Sequence, residues 1–242
     1  LYARVATGYR PGGFNVGIPT DIPGAGNLIP YDPETALSYE AGFKLGIMDG
    51  RIYLEGAAYF TETEDVQIVT AASTTNTNFI LQNGVGAEVW GVELEARGRF
   101  DIAGGTLNAG VGLSSNDGEF QDGTAVILAG VLTDISGNRM NRTRDFVGTV
   151  NLLYRHGIGT GLEGFVATSY QTQLGGYENA ENSRAFSEFS LYDARFGLEG
   201  DNWRFSIYGK NLGNEIYPVQ TISSNVYFNE PRTYGAELSF SY

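Results

Sequence analysis

Apolar and polar residues alternate with a period of two along much of this chain, and this pattern predicts β-strands. The segment 90–100 shows it clearly, because one face is apolar and the other charged. The apolar positions are Trp90, Val92, Leu94, Ala96 and Phe100, and the charged positions are Glu93, Glu95, Arg97 and Arg99. About ten strands are predicted, at 1–9, 35–47, 51–68, 86–100, 105–115, 144–155, 161–172, 188–199, 202–211 and 232–242.

The connections between these strands alternate strictly between short and long. The short connections lie at 48–50, 101–104, 156–160 and 200–201, and the long ones at 10–34, 69–85, 116–143, 173–187 and 212–231. An up-and-down transmembrane barrel has this arrangement, with short periplasmic turns and long extracellular loops. A soluble sandwich gives no reason for sorting its loops by length. The pattern therefore favours an all-β, antiparallel up-and-down transmembrane barrel.

Strand length supports this interpretation. The clean alternations run about nine to eleven residues, which is the length that a tilted strand needs to cross a bilayer. The apolar face would then meet lipid and the charged face would line the interior. Aromatic residues near strand ends are predicted to form interfacial girdles. They are Tyr39, Trp90, Tyr154, Tyr192, Trp203 and Tyr242. Periodicity alone does not say which face is inside, so packing in a soluble β-core stays open.

Composition removes several classes of function. The formal net charge is −13, which argues against nucleic acid as a partner because phosphate binding needs a basic surface. The chain has no Cys, so disulfides, thiolate metal sites and Cys nucleophiles are excluded. The first residues, Leu1 to Val5, already follow a strand pattern, without an initiator Met or a signal peptide. We expect a piece of a longer protein.

Candidate chemistry is sparse. His156 is the only histidine, so a site with two or three His ligands cannot form within the chain, and we predict a solvated residue in a short periplasmic turn. The cluster Glu62, Glu64 and Asp65 has the oxygen ligands that Ca²⁺ prefers, although a solvated rim is favoured. No catalytic residue, metal site or cofactor is predicted, and the chain is not expected to be an enzyme.

Two glycine-rich segments and one apolar loop need separate interpretation. Gly84-Val85-Gly86 and the stretch 157–161 precede no helical pattern and lack the Lys-Ser/Thr of a phosphate loop, so turn and strand glycines explain them. The apolar stretch Ala125 to Leu132 lies in a long predicted extracellular loop. It is predicted to form a small hairpin above the membrane or to touch a ligand.

Several segments resemble one family of outer-membrane proteins. Leu1 to Asn15 reads LYARVATGYRPGGFN, and the segment from Pro33 reads PETALSYEAGFKLG. The stretch from Ala58 to Gln67, the Gly-Val-Glu-Leu-Glu segment within Asn83 to Glu95, Asn211 to Tyr217 and Pro231 to Tyr242 follow in order. Together they resemble the barrels of TonB-dependent receptors over nearly the whole chain.

The resemblance implies a receptor of the cell outer membrane that imports a scarce nutrient, such as a ferric siderophore, cobalamin or a carbohydrate. Members of the family have about 22 strands and a plug domain that contacts the TonB energy-transducing complex. Residues 1–242 would then be the C-terminal portion of the barrel domain, with the plug and the N-terminal strands absent. The implied partners are outer-membrane lipid, the small nutrient ligand and, through the missing plug, the TonB complex. Such a piece could not perform energised transport alone.

The resemblance also implies roles for particular residues. The closing strand carries Thr233, Gly235, Leu238, Phe240 and Tyr242, which resemble the signal read by the barrel-assembly machinery. Loops carry specificity in such receptors, so the loop aromatics Tyr177, Phe186, Tyr227 and Phe228 are predicted to bind substrate.

Two other functions fit the pattern. A self-contained ten-stranded outer-membrane barrel would act as a channel or a surface enzyme, and a soluble β-sandwich would act as a binding module. A plug upstream selects the receptor, a signal peptide ending just before Leu1 selects the small barrel, and solubility without detergent selects the sandwich. The sequence does not name an imported ligand.

Overall fold

The computed structural model describes residues 1–18, 25–71, 79–222 and 225–241. Within these residues the fold is built from antiparallel strands and one 3₁₀ turn at Ala25–Leu28. No helix in this part of the chain is long and apolar enough to cross a membrane. Ten strands form one sheet, and four short two-stranded hairpins occupy the long connections of that sheet.

The strands, in chain order, are β1 (Tyr2–Arg10), β2 (Gly13–Phe14), β3 (Pro30–Tyr31), β4 (Glu34–Ile47), β5 (Ile52–Glu64), β6 (Gln67–Ala71), β7 (Phe79–Asn83), β8 (Gly86–Ile102), β9 (Gly105–Phe120), β10 (Ala125–Leu128), β11 (Val131–Asp134), β12 (Phe146–Gly159), β13 (Leu162–Leu174), β14 (Phe189–Glu199), β15 (Trp203–Lys210), β16 (Pro218–Ile222), β17 (Asn225–Phe228) and β18 (Thr233–Phe240). The large sheet has the order β1-β4-β5-β8-β9-β12-β13-β14-β15-β18. The hairpins pair β2 with β3, β6 with β7, β10 with β11, and β16 with β17.

The large sheet confirms the ten predicted strands and their antiparallel, sequential order. Its end strands, β1 and β18, do not pair with each other in the described residues, so the sheet is an open part of a barrel. The predicted strand 51–68 is interrupted at Asp65, whose φ of 52° turns the chain before β6 begins. Short connections are tight, as at Ala103 and Gly104, where two successive positive φ values suit a hairpin turn between long strands.

The two faces of the sheet differ as the alternation predicts. On one face, cross-strand neighbours are polar, as in the pairs Glu55 with Glu95 and Asn151 with Ser169. This face is concave, and one cavity of about 780 Å³ is lined by residues of seven neighbouring strands. The opposite face exposes large apolar side chains, such as Val92, Leu94 and Val166. Lipid is the solvent that suits such a face, because it removes apolar area from water.

Aromatic side chains form two rows on the apolar face. Near the long loops, Tyr39, Phe60 and Trp90 are successive cross-strand neighbours. Near the short turns, Trp203 pairs with Phe240, and Tyr154 lies on the same side of the sheet. Of the girdle residues predicted from the sequence, Tyr192 joins the first row and packs on Tyr170 at 4.7 Å, whereas Tyr242 lies outside the described residues. The two rows mark the membrane interfaces.

The hydrophobic core of the described residues lies at one end of the sheet, where the ends of β8 and β9 meet the long loops. Its buried members are Val66, Ile68, Ala87, Phe120, Val126, Ile135 and Ala180. A second small cluster forms around Ile80, with Ile18, Leu28 and Ile127 packed against it. These residues come from several different loops, so the loops form one packed layer, here called the loop layer.

Candidate functional site

The concave face of the sheet carries a dense set of charged side chains, many of which satisfy one another. Arg155 donates to Glu163 at 2.7 Å and to Glu199 at 3.0 Å, and Arg204 also binds Glu199 at 2.9 Å. The Arg155 and Arg204 guanidinium groups lie 5.8 and 5.6 Å from the centroid of the Phe165 ring. Basic and acidic groups therefore occur together on this face and pair with one another across strands.

Loop hairpins pack side by side above this face. The hairpin of β10 and β11 covers the hairpin of β6 and β7, and the Gln82 side chain joins them. Its Nε2 donates to the Ile127 carbonyl and its Oε1 accepts from the Ile127 amide, both at 2.8 Å. The side-chain amide thus makes the pair of bonds that a backbone neighbour would make. Of the two alternatives predicted for Ala125 to Leu132, the structure shows a hairpin, formed by β10 and β11, and it supplies Val126 to the core of the loop layer.

Other side-chain amides join the remaining loops. Asn15 donates to the carbonyls of Leu28 and Leu81 at 2.8 and 2.7 Å and accepts from the Leu81 amide at 2.9 Å. Asn182 makes a reciprocal pair with the backbone of Arg139. Because these bonds join groups far apart in sequence, they hold one loop to another. The loop layer is a connected rim over the concave face.

The segment Asn211 to Tyr217 forms a similar joint at the base of the last long loop. The Asn211 side chain donates to the carbonyls of Glu215 and Glu230 at 2.8 and 3.1 Å. The backbone N–H of Asn211 donates to Asp193 Oδ1 at 2.8 Å. Glu215 Oε2 accepts from the Ser190 amide at 2.9 Å. Asn15 and Asn211 both belong to segments that carry the sequence resemblance, so part of that resemblance records how the loops are joined.

An arginine and three aromatic rings lie where the loop layer meets the concave face. The Arg144 guanidinium lies 4.2 Å from the Phe186 ring centroid and 5.8 Å from that of Phe189. The Phe189 ring stacks on Tyr217 at 4.1 Å with an interplanar angle of 7°. Burial lowers the pKa of Arg144 and raises the pKa of the Tyr217 hydroxyl. Phe189 is on the same side of β14 as Asp193 and Arg195, which line the concave cavity.

The predicted substrate-binding aromatics fall into two groups. Phe186 is half-buried against Arg144, and Tyr177 is half-buried and forms isolated bridges with Asn141 and Ala185. Tyr227 and Phe228 are half or more exposed on β17. The structure brings Phe186 beside the arginine cluster and leaves Tyr227 and Phe228 open to solvent. The role of all four in substrate binding stays a prediction.

Arg144, Phe189 and Tyr217 did not emerge from the sequence as site residues. The motif Arg142-Thr143-Arg144 gives no signal for which arginine is half-buried. Gly175 and Gly176 are a clearer signal, since both have positive φ values, of 65° and 86°. A Cβ at Gly176 would overlap the Thr143 carbonyl oxygen. A glycine pair in a long loop thus marks where that loop comes close to another backbone.

The predicted placement of His156 is wrong. Because β12 continues to Gly159, His156 is a strand residue rather than a turn residue. Its ring stacks with Tyr154 at 6.3 Å, and its Nδ1 is buried without a hydrogen-bond partner in the described part of the chain. The ring therefore belongs to the aromatic row near the short turns.

The structure shows which residues surround the acidic cluster and the first glycine-rich segment. Glu62 and Glu64 lie at the loop end of β5, and Gln121 Nε2 lies 3.5 Å from Glu62 Oε1. Within the ranges that the structure describes, no group of three or more His, Cys, Asp or Glu side chains is arranged to hold a metal ion. Gly84 packs against Thr124, Ile68 and Val66, so a side chain there would disturb the core of the loop layer.

The proposed assembly signal lies on the last strand of the sheet. Leu238 and Phe240 are exposed on the apolar face of β18, whereas Thr233 and Gly235 belong to the opposite face. A Cβ at Gly235 would overlap the ring of Tyr208. Tyr242 lies outside the described residues. One edge of β18 pairs with β15 and the other is unpaired within the described ranges, so it is a ready template for another strand.

Comparison with known proteins identifies the family. Residues 1–212 match the model of the TonB dependent receptor-like, beta-barrel family. The chain belongs to this family. TonB-dependent receptor barrels are outer-membrane proteins of Gram-negative bacteria, and the family consists of receptors and transporters rather than enzymes.

Individual TonB-dependent receptors are similar over most of this chain. It is 27% identical over 234 residues to the pesticin receptor of Yersinia pestis, and this alignment covers 90% of the chain and 29% of that receptor. The solved ferric yersiniabactin uptake receptor FyuA from Yersinia pestis aligns with a TM-score of 0.73 at 22% identity, over 98% of this chain and 34% of that one. The siderophore receptor PiuA from Acinetobacter baumannii aligns with a TM-score of 0.73 at 22% identity, over 99% and 33%. The chain thus spans about a third of the length of these relatives.

Proposed function

We propose that this chain is the C-terminal part of the barrel wall of a receptor that imports a ferric siderophore with energy supplied through the TonB complex. The observation that carries the proposal is the open ten-stranded sheet of a family member, polar on its concave face and apolar on the other. A sheet with two unpaired edges fits a larger barrel, in which further strands pair with β1 and β18. In the proposed receptor, the charged concave face packs against a plug.

Siderophore is preferred among the possible nutrients because the similar proteins bear such names, including a ferric yersiniabactin uptake receptor and a siderophore receptor. The connected loop layer supports a binding role, since a pre-formed rim loses little conformational entropy when a ligand binds. The proposed receptor takes up its ligand from outside, passes it through the barrel and depends on TonB for release into the periplasm.

Uptake by cells that lack the receptor gene tests the proposal. The gene for the full-length receptor is deleted from its host, and uptake of iron supplied as siderophore complexes is compared with uptake of cobalamin and of an oligosaccharide. We expect loss of iron uptake alone, with the same loss in a strain that lacks TonB. Loss of cobalamin or oligosaccharide uptake instead would show that this compound, and not a siderophore, is the ligand. Undiminished uptake of all three would overturn the proposal.

Gel mobility of the isolated chain tests the rival self-contained barrel. A closed barrel resists unfolding in detergent until it is heated, and its gel mobility then changes. We expect no heat-dependent change for residues 1–242 alone, because both edges of the sheet are unpaired. A clear heat-dependent shift would favour the ten-stranded barrel.

A further inference from the structure

Arg144 is held in place by two carbonyl groups and two aromatic rings. Its Nη1 donates to the Ser187 carbonyl at 3.0 Å and to the Gly175 carbonyl at 3.4 Å. The Phe186 ring faces the guanidinium at 4.2 Å. Gly175, Phe186 and Ser187 all lie in the connection between β13 and β14. This connection folds around Arg144, which lies two residues before the start of β12. The guanidinium is therefore positioned before any ligand arrives.

Among the residues that the structure describes, this guanidinium has no carboxylate partner. In the described part of the chain, no carboxylate oxygen lies within 4.0 Å of it, whereas Arg139 binds Asp117 and Asp145 at 2.7 and 2.6 Å. Arg184 lies 3.6 Å from Glu178. Arg142 also lacks a carboxylate partner but is exposed to water. Arg144 is half-buried, and this burial lowers the pKa of its guanidinium. A half-buried cation of this kind gains from an anionic partner.

The long connections of the chain are acidic as a whole, with eleven Asp and Glu against four Arg in 10–34, 69–85, 116–143, 173–187 and 212–231. Glu178, Glu188 and Asp145 are close enough to favour the charged form of Arg144. Arg139 and Arg184 offset two of these carboxylates, Asp145 and Glu178. The acidic loop layer as a whole repels a ligand with several negative charges and has little effect on one of low net charge. The fixed charge of Arg144 and the acidic loop layer therefore select different features of a ligand.

Resting on the function proposed above, we propose that Arg144 binds one anionic oxygen group of the imported iron complex, and that this complex has a low net negative charge. A carboxylate that is not coordinated to the iron is a group of this class. The planar guanidinium, backed by the Phe186 ring, presents its remaining N–H groups to such an oxygen. The acidic loops disfavour complexes with several negative charges.

Binding of three iron complexes of similar size tests this inference. The purified full-length receptor is titrated with a neutral iron(III) tris-hydroxamate, a singly negative tris-hydroxamate that bears one carboxylate, and a triply negative iron(III) tris-catecholate. Quenching of protein fluorescence reports affinity. We expect the singly negative complex to bind about tenfold or more tightly than the neutral one. We expect the triply negative complex to bind more weakly than the singly negative one.

Substitutions at Arg144 separate ligand binding from loop structure. Arg144→Gln should remove the preference for the singly negative complex and leave the affinity for the neutral complex unchanged. Arg144→Lys should keep part of the preference because it keeps the charge. Arg142→Gln is the matched control, since Arg142 is two residues away and exposed, and it should change neither affinity. Equal losses for the neutral and the charged complex in Arg144→Gln would show a structural role and overturn the inference.

A glycine pair provides a second test that keeps the charge. Gly176→Ala should displace the loop that holds Arg144, because the added Cβ meets the Thr143 carbonyl. Gly130 has nearly the same φ, 87° against 86°, but has nothing within 4 Å of an added Cβ. Gly176→Ala should therefore lose the preference, and Gly130→Ala should keep it. Equal preferences in both variants would contradict the positioning of Arg144.

The outcomes distinguish this inference from the proposed function. If iron uptake depends on the receptor and on TonB, but the three complexes bind equally, the function stands and the role of Arg144 is wrong. If none of the three iron complexes binds and iron uptake does not need the receptor gene, both proposals fail. Tightest binding of the triply negative complex would also overturn the inference about ligand charge.

Discussion

The ten-stranded sheet, here called the wall, and the loop layer place their apolar residues in opposite environments. In the wall, apolar residues such as Leu94 and Val166 point outward and stay exposed in the chain alone. In the loop layer, apolar residues such as Ile135 and Val126 are almost completely buried by neighbouring loops. The wall obtains its apolar environment from lipid and satisfies its backbone through strand pairing. The loop layer stands in water and needs a core of its own.

The same contrast holds for polar groups. Charged residues of the wall lie on the concave face and pair across strands, as Lys44 does with Glu55 at 2.9 Å. In the loop layer, amide side chains such as Gln82 bond to the backbone of another loop. Irregular loops leave backbone groups without strand partners, and side-chain amides can both donate to and accept from such groups. The loop layer therefore behaves as a small soluble fold built on a membrane wall.

Truncation of Ile135 should have the largest effect in the loop layer. Ile135 is 1% exposed, so Ile135→Ala leaves a cavity and should lower the local free energy of unfolding by about 2–5 kcal/mol. Hydrogen exchange of the backbone amides of β10 and β11 in the full-length receptor measures this change. Leu132→Ala is the control, because Leu132 is 69% exposed in the same hairpin. Similar loss of protection in both variants would show that the loop layer has no packed core.

Charge on the outward face of the wall should have the next largest effect. Leu94 lies between the aromatic rows marked by Trp90 and Phe100, so Leu94→Arg should destabilise the receptor by about 2–4 kcal/mol in a bilayer. Glu93→Arg places the same side chain on the concave face one residue away and should cost much less. Urea unfolding of the receptor in phospholipid vesicles compares them. If Glu93→Arg is the more damaging change, the two faces have been assigned the wrong way round.

Much of the wall can be predicted from the sequence because a strand between lipid and polar interior must alternate. The segments around Trp90 and Tyr39 show this, and their predicted strands agree with β8 and β4 to within two residues. The error at His156 has the same origin. Gly157 and Gly159 suggest a turn, but cross-strand pairing with β13 extends the strand past them. Local turn signals are weaker than continued pairing with a neighbouring strand.

The loop layer was much less predictable, because its contacts join residues far apart in the chain. The apolar stretch Ala125 to Leu132 predicts a hairpin, but nothing local predicts that Val126 packs with Ala180. Arg144 is another example, since its surroundings come from residues 175–189. Among the loop aromatics predicted from the sequence, Phe186 lies against Arg144. The predicted aromatics did not identify this arginine, because burial of a charge depends on tertiary packing.

Asn15 provides the smallest and most specific test of the difference between wall and loop layer. Asn15→Ala removes one hydrogen bond within its own loop and two hydrogen bonds to Leu81 in another loop. It leaves the Leu81 amide without its partner, which should cost about 1–3 kcal/mol of local stability. The loss should appear as faster hydrogen exchange in β2, β3 and β7, while the exchange of β8 and β9 stays unchanged. Asn202→Ala, at an exposed turn between wall strands, is the matched control and should affect neither region. If Asn15→Ala instead weakens protection throughout the wall, the loop layer and the wall unfold together and are not separate cooperative units.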